Sequence, residues 1–177
     1  MASEKLSKEI EAILRKVRKE GDRALEFYSR KFDGIEISAK DFFVPAGEIR
    51  RGYERVSASV RKALGLAKKR IEIFHKAELA QIKTSWSIET DGIRAGQIAN
   101  PLESAGLYVP GGRFCYPSTV LMTAVPARIA GVSKIILATP KKNLKDEILA
   151  AALLAGVTQI LCVGGPWAIA ALAFGTK

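Results

Sequence analysis

The sequence is poor in the residues from which metal sites and catalytic triads are usually built. Its 177 residues include one histidine, His75, and two cysteines, Cys115 and Cys162. The cysteines are far apart and neither lies in a CxxC pair, so the spacing of a structural zinc site is absent. A disulfide is not expected in a reducing compartment. With one histidine, the chain can build neither a histidine-rich zinc site nor a Ser-His-Asp triad together with a metal site.

Long apolar runs are also missing. No run reaches the roughly 18 to 20 residues that a membrane span requires, and the charged, helical start does not have the pattern of a signal peptide. The richest apolar stretch, 148–163, contains Gly156, Thr158 and Gln159 and indicates a buried core. The chain is 48% hydrophobic and 26% charged, which is typical of a globular domain. We therefore expect a soluble, cytoplasmic protein without a membrane segment.

The net charge of +10 raises the question of a nucleic-acid partner. The basic residues are spread over the whole chain, and in the first half they alternate with acidic residues at helical spacing. That arrangement is typical of a solvated helix face rather than a binding stripe. We do not expect nucleic acid as a partner, whereas an anionic ligand is compatible with the charge.

The first part of the chain, 1–82, has the pattern of a helical region. Apolar residues recur at three- and four-residue steps, which predicts one buried stripe on a first helix: Leu6, Ile10, Ile13, Leu14 and Val17. Gly21 is expected to end this helix, and Asp22 to cap the next. Another helix is expected to begin near Pro45, and a long helix to span about 57–80.

The second part, 83–177, changes to strands and shorter helices. Asp91-Gly92 predicts a tight hairpin turn between strands at 82–88 and 93–99. Short apolar strands are then expected at 105–109, 134–138 and 160–163, joined or followed by helices at 117–130, 146–155 and 167–174. This alternation predicts an α/β fold with a parallel sheet and flanking helices.

Two Gly-Gly pairs follow predicted strands, Gly111-Gly112 and Gly164-Gly165. Ligands of open α/β sheets bind at the carboxyl ends of the strands, where a helix start offers free N–H groups. Neither pair forms GxGxxG and no phosphate-loop motif is present. The pairs are compatible with tight-turn packing and with ligand contact, and the pattern does not separate the two.

Three side chains lie beside these glycines. Tyr108, at the end of its strand, could stack on or hydrogen-bond a cofactor, or simply pack half-buried. Ser118 and Thr119 follow Pro117 and are placed to cap the helix that it begins. His75 lies on the long helix, where a lone histidine is usually structural.

Residues 106–140, GLYVPGGRFCYPSTVLMTAVPARIAGVSKIILATP, resemble the core signature of histidinol dehydrogenases. The string at 156–176, GVTQILCVGGPWAIAALAFGT, resembles the next block of that family. The strings at 17–34 and 70–78 resemble its N-terminal helical region. The resemblance covers essentially the whole chain, which would be well under half of a full-length member.

The resemblance implies an NAD- and zinc-dependent homodimer that oxidises L-histidinol to L-histidine through the aldehyde, using two NAD. It implies incomplete Rossmann-like domains and active sites near the subunit interface. The residues it points to for the cofactor are Tyr108, Gly111, Gly112, Ser118, Gly164 and Gly165. Trp167 stands where the family has a glutamine that contacts NAD, and an indole cannot supply the paired donor and acceptor of an amide.

The zinc ligands, the Glu-His acid–base pair and the Gly-Pro-Gly-Asn motif of the family have no counterpart in these strings. The resemblance therefore implies a truncated chain with no catalytic residue, no metal ligand and no dehydrogenase activity of its own. The alternative is a non-catalytic nucleotide-binding or dimerisation module derived from the family.

Overall fold

The computed structural model describes residues 2–111 and 114–176. The helices within them are α1 (Ala2–Glu20), α2 (Asp22–Tyr28), α3 (Ala46–Arg55), α4 (Ala58–Ala80), α5 (Pro117–Ile129), α6 (Asp146–Ala155) and α7 (Gly165–Phe174). A π-helical turn spans Ser29–Asp33, and 3-10 turns span Ala39–Asp41 and Lys141–Asn143. The strands are β1 (Ser85–Thr90), β2 (Ile93–Ile98), β3 (Ser104–Tyr108), β4 (Lys134–Ala138) and β5 (Gln159–Leu161).

The central sheet is parallel, with strand order β3-β4-β5. Residues 42–44 run antiparallel along the outer edge of β5. There the Val44 N–H donates to the Ile160 carbonyl at 2.9 Å, and the Cys162 N–H donates to the Phe42 carbonyl at 2.7 Å. This added edge segment protects backbone groups of β5 that would otherwise be open to solvent.

Helices cover both faces of the sheet. One core cluster lies between the sheet and α3, α4, α5 and α6, and it includes Leu137, Ile148 and Ile160. The other lies between the sheet and α1, α2 and α7, and it includes Leu25 and Trp167. Burial on both faces explains why the strands are continuous apolar runs. The predicted α/β class, with N-terminal helices, a small hairpin and a parallel sheet, is confirmed.

Most predicted element ends lie within two residues of the observed ones, although β1 starts at Ser85 rather than at 82. Gly21, with φ of 56°, is itself the N-cap of α2. The prediction that Asp22 caps this helix is therefore wrong, because Asp22 is already its first residue. The Ser57 Oγ caps α4 by accepting the Val60 N–H at 3.2 Å. The division into parts at residue 82 stays a prediction.

The hairpin formed by β1 and β2 turns at Asp91 and Gly92, whose φ angles of 50° and 77° are those of a type I′ turn. Its ladder runs from the pair Ser85–Ile98 to the pair Thr90–Ile93. Within the part of the chain that the structure describes, no helix combines the length and the apolar character needed to cross a membrane.

Candidate functional site

Three strand ends meet at the carboxyl edge of the parallel sheet. β3 ends at Tyr108, β4 is followed by Thr139 and Pro140, and β5 is followed by Gly164 and Gly165. Because all three strands run in the same direction, the loops after them lie side by side. Tyr108, Gly111, Gly164 and Gly165 are therefore collected at one edge of the sheet.

Tyr108 is joined to the second glycine pair by a hydrogen bond. The backbone N–H of Gly165 donates to the Tyr108 hydroxyl at 3.0 Å, in a partly buried position. The first N–H groups of a helix have no partner within the helix, so this hydroxyl satisfies the first donor of α7. The hydroxyl thus links the end of β3 to the start of α7.

The glycines at this edge make room for neighbouring protein atoms. A Cβ on Gly111 would lie 2.6 Å from Asn143 Nδ2 and 2.8 Å from Pro140 Cγ. A Cβ on Gly164 would lie 2.5 Å from the same Pro140 Cγ. The ring of Pro140 therefore fits between the loops that follow β3 and β5. Close packing is observed at both glycines, while Gly112 lies outside the described residues.

Trp167 fills the space on the other side of the second glycine pair. Gly165 has φ of 67°, and a Cβ there would overlap the indole of Trp167. The indole stacks on Tyr28 at 5.5 Å and on Phe32 at 5.2 Å between ring centroids. It is only 5% exposed, and its buried Nε1 has no hydrogen-bond partner among residues 2–111 and 114–176. The side chain of Trp167 is thus part of the core and presents no polar atom at the surface.

Ser118 and Thr119 do not cap α5, contrary to the prediction. The N-cap is Tyr116, and no side chain accepts a hydrogen bond there. Since Pro117 already occupies the first helical position, Ser118 and Thr119 fall inside the first turn, two and three residues after the N-cap. Ser118 is exposed, and the Thr119 carbonyl accepts a hydrogen bond from Thr123 Oγ1 at 2.8 Å.

The remaining candidates for chemistry are held in structural positions. His75 lies on α4 with Nδ1 2.8 Å from Glu78 Oε2. Burial raises the pKa of the Cys162 thiol to about 11, and burial also raises the pKa of Cys115. Both thiols are therefore protonated at neutral pH and are poor nucleophiles. In the described ranges 2–111 and 114–176, no three His, Cys, Asp or Glu side chains are grouped so that they could hold a metal ion.

The segment that follows β4 also lies at this edge, although no pattern in the sequence analysis pointed to it. Pro140 and the 3-10 turn Lys141–Asn143 lie at the same edge of the sheet, and Asn143 Nδ2 donates to the Pro110 carbonyl at 3.3 Å. Lys141 and Lys142 are exposed, so the edge carries positive charge suited to an anion. The signal was available, since a strand end followed by Pro-Lys-Lys-Asn marks a turn at the ligand-binding edge.

A parallel sheet with helices on both faces is the architecture of a doubly wound α/β protein, a class in which ligands bind at the carboxyl edge of the sheet. A sequence model of the family described as histidinol dehydrogenase matches residues 1–177. The chain therefore belongs to the histidinol dehydrogenase family.

Individual relatives agree with this assignment. The chain is 47% identical over 174 residues to the histidinol dehydrogenase of Aquifex aeolicus, covering 98% of this chain and 40% of the relative. It is 45% identical over 172 residues to that of Thermosynechococcus vestitus, covering 95% and 39%. The crystal structure of histidinol dehydrogenase from Elizabethkingia anophelis superimposes with a TM-score of 0.85 at 35% identity, covering 97% of this chain and 40% of that one. The chain thus spans about 40% of the length of the relatives it matches.

Proposed function

We propose that this chain supplies part of a histidinol dehydrogenase, which oxidises L-histidinol to L-histidine through the aldehyde in histidine biosynthesis. The observation that carries the proposal is the family match over residues 1–177. The 47% identity to a relative of this name spans 98% of the chain, so it includes the loops at the carboxyl edge of the sheet. In the complete enzyme we propose NAD and zinc as cofactors and a homodimeric assembly.

The residues at the sheet edge fit a dinucleotide only in part. Tyr108, Gly111, Gly112, Ser118, Gly164 and Gly165 are the proposed NAD contacts. However, Pro140 fills the space beside Gly111 and Gly164, and the indole of Trp167 covers Gly165. The Tyr108 hydroxyl is already bonded to the Gly165 N–H. The carboxyl edge of the sheet therefore has no open cavity beside these residues for a dinucleotide, and we assign no step of the reaction to NAD bound at this edge.

Zinc does not fit the donor groups of the described residues, because these contain no suitable cluster of ligating side chains. We propose that the zinc ligands and the acid–base pair come from the part of the relatives' length that this chain does not match. It follows that the isolated chain does not turn over histidinol. Steady zinc-dependent oxidation of histidinol by the pure chain would contradict this part of the proposal.

The cofactor proposal is tested by titrating NAD into the purified chain in a calorimeter, with and without zinc. We expect binding with a dissociation constant on the order of micromolar if the half-site functions. Tyr108→Ala should abolish that binding. Tyr53→Ala is the matched control, because Tyr53 is also half-buried but lies on α3. A folded chain that does not bind NAD would contradict the half-site and would leave the chain only a structural or vestigial role.

A further inference from the structure

Three aromatic rings, which we name the cover, lie over the start of α7: Tyr28, Phe32 and Trp167. Side chains of a helix lean toward its N-terminus, and Trp167 is the third residue of α7. Its indole therefore lies back over Gly165, where it occupies the position that a Cβ would take. The backbone of Gly165 is thus shielded by the cover and by no side chain of its own.

The rings of the cover are stacked but unequally buried. Their centroids are 5.2–6.0 Å apart and their planes differ by 18–24°, which is a favourable offset-stacked arrangement. Tyr28 is 6% and Trp167 5% exposed, whereas Phe32 is 55% exposed. Phe32 therefore holds the indole from the solvent side, and it is the part of the cover whose removal disturbs the core least.

The segment that carries Phe32 is the π-helical turn Ser29–Asp33, which ends at Gly34 with φ of 63°. Single π-helical turns are rare and frequently lie at functional sites. At the end of this turn, burial raises the pKa of the Asp33 carboxyl and the charge of Lys142 lowers it. The turn thus extends along the carboxyl edge from the start of α7 to within reach of the segment that follows β4.

The closed position of the cover leaves polar groups without partners. Trp167 Nε1 and Ser29 Oγ are buried and have no hydrogen-bond partner among residues 2–111 and 114–176. Ser29 is 2% exposed and begins the turn that carries Phe32. A buried polar group without a partner is costly, and the cost is recovered when the group reaches water. The stacking that closes the cover is therefore opposed by two groups that gain from its opening.

We propose that the cover is a closed lid and that outward movement of the turn Ser29–Asp33, in which Phe32 leaves Trp167, controls the access of a dinucleotide to the backbone of Gly165. The inference deepens the proposed function, because it assigns a regulation to the same edge, and it rests on the NAD half-site. A glycine lets a ligand approach the backbone closely, but here only after the rings have moved. A ligand that binds the open form alone has its apparent affinity reduced by the fraction of open molecules.

The first test is acrylamide quenching of Trp167 in the full chain carrying Trp86→Phe, which removes the other tryptophan. Phe32→Ala should raise the quenching constant about 3-fold or more, because the indole loses its outer stacking partner. Phe27→Ala is the matched control and should leave quenching at the parent value. Phe27 is 47% exposed and contacts Tyr28 edge-on at 5.1 Å, but it is not part of the cover. Circular dichroism melts of the two variants should coincide, so that unfolding is not mistaken for opening.

The second test is calorimetric titration of the same chains with NAD. Phe32→Ala should tighten binding roughly 3- to 10-fold, since it weakens the stacking that closes the cover. Ser29→Ala should weaken binding roughly 5-fold, because it removes a hydroxyl that opposes closing. The second variant acts in the opposite direction and removes no aromatic contact, so it tests the lid even if Phe32→Ala folds poorly. Phe27→Ala should bind NAD like the parent.

The outcomes separate the lid from the half-site. Equal quenching of Trp167 in Phe32→Ala and Phe27→Ala would overturn the inference, because the indole would then be a fixed part of the core. NAD binding that neither Phe32→Ala nor Ser29→Ala changes would leave the half-site standing and overturn the lid. Absence of NAD binding in the parent and in every variant would overturn the half-site, and the control of access with it.

Discussion

Gly52 lies where α3 crosses α6, and the structure leaves no room there for a methyl group. A Cβ at this position would lie 2.6 Å from the Cβ and 2.5 Å from the Cδ1 of Leu149. Leu149 is only 2% exposed, and its Cβ is fixed to the helix backbone, so the side chain cannot turn away. Gly52→Ala should therefore force the two helices apart.

The magnitude follows from two opposing effects. Alanine in a helix interior is favoured over glycine by about 1 kcal/mol, whereas overpacking a core costs about 1–3 kcal/mol, and occasionally more. Gly65, inside α4, provides the matched control because a Cβ there meets nothing within 4 Å. We expect Gly65→Ala to raise the free energy of unfolding by up to about 1 kcal/mol. The overpacking difference between the two variants should be about 1–3 kcal/mol.

The assay is equilibrium unfolding in urea followed by far-UV circular dichroism, with thermal melts in parallel. A change of 1 kcal/mol corresponds to roughly 2–4 °C in Tm for a chain of this size. The reasoning would be refuted if Gly52→Ala proved as stable as Gly65→Ala, since helix propensity would then account for both and the close approach of α3 to α6 would be absent.

Two further predictions concern the core of the sheet. Leu137→Ala, at a fully buried position of β4, should lower the free energy of unfolding in urea by about 2–5 kcal/mol through the cavity it leaves. Leu102→Ala is the control at a residue 70% exposed and should change the free energy of unfolding by less than about 0.5 kcal/mol. Equal effects of the two substitutions would contradict the assigned burial. Because burial raises the pKa of Cys162 from 9.0 to about 11, the stability contributed by its neutral thiol is complete below pH 9 and is lost as the pH rises through 11. The urea midpoint of the parent should thus fall more steeply than that of Cys162→Ala over this interval, and parallel curves would show that the thiol is not buried.

Local sequence signals were reliable where a single element carries them. The stripe from Leu6 to Val17 predicted α1, and the Asp91-Gly92 pair predicted the hairpin turn, because periodicity and turn geometry act over a few residues. The short apolar run at Lys134–Ala138 predicted β4 with its observed ends. The strand ends also placed the candidate site residues at one edge of the sheet, since parallel strands share a direction.

Other features needed contacts between distant residues. Nothing in the sequence near Phe42 to Val44 indicates pairing, yet this segment completes the edge of the sheet beside β5. The capping roles predicted for Asp22 and Ser118 are wrong because the N-cap position lies one residue before Asp22 and two residues before Ser118. In both cases a glycine or proline set the start of the helix.

The sequence by itself determined the order and type of the elements and, through its resemblance, the family. Only the tertiary structure decided between packing and open space at the glycines, where Pro140 and Trp167 occupy the gaps. The tertiary structure also decided which apolar strand residues are buried. Leu137 of β4 is enclosed by helices, whereas Ile88 of β1 is exposed. The physical reason is that an apolar residue gains stability only when other surfaces remove it from water. Which surfaces are near is a property of the whole fold and not of the residue's neighbours in sequence.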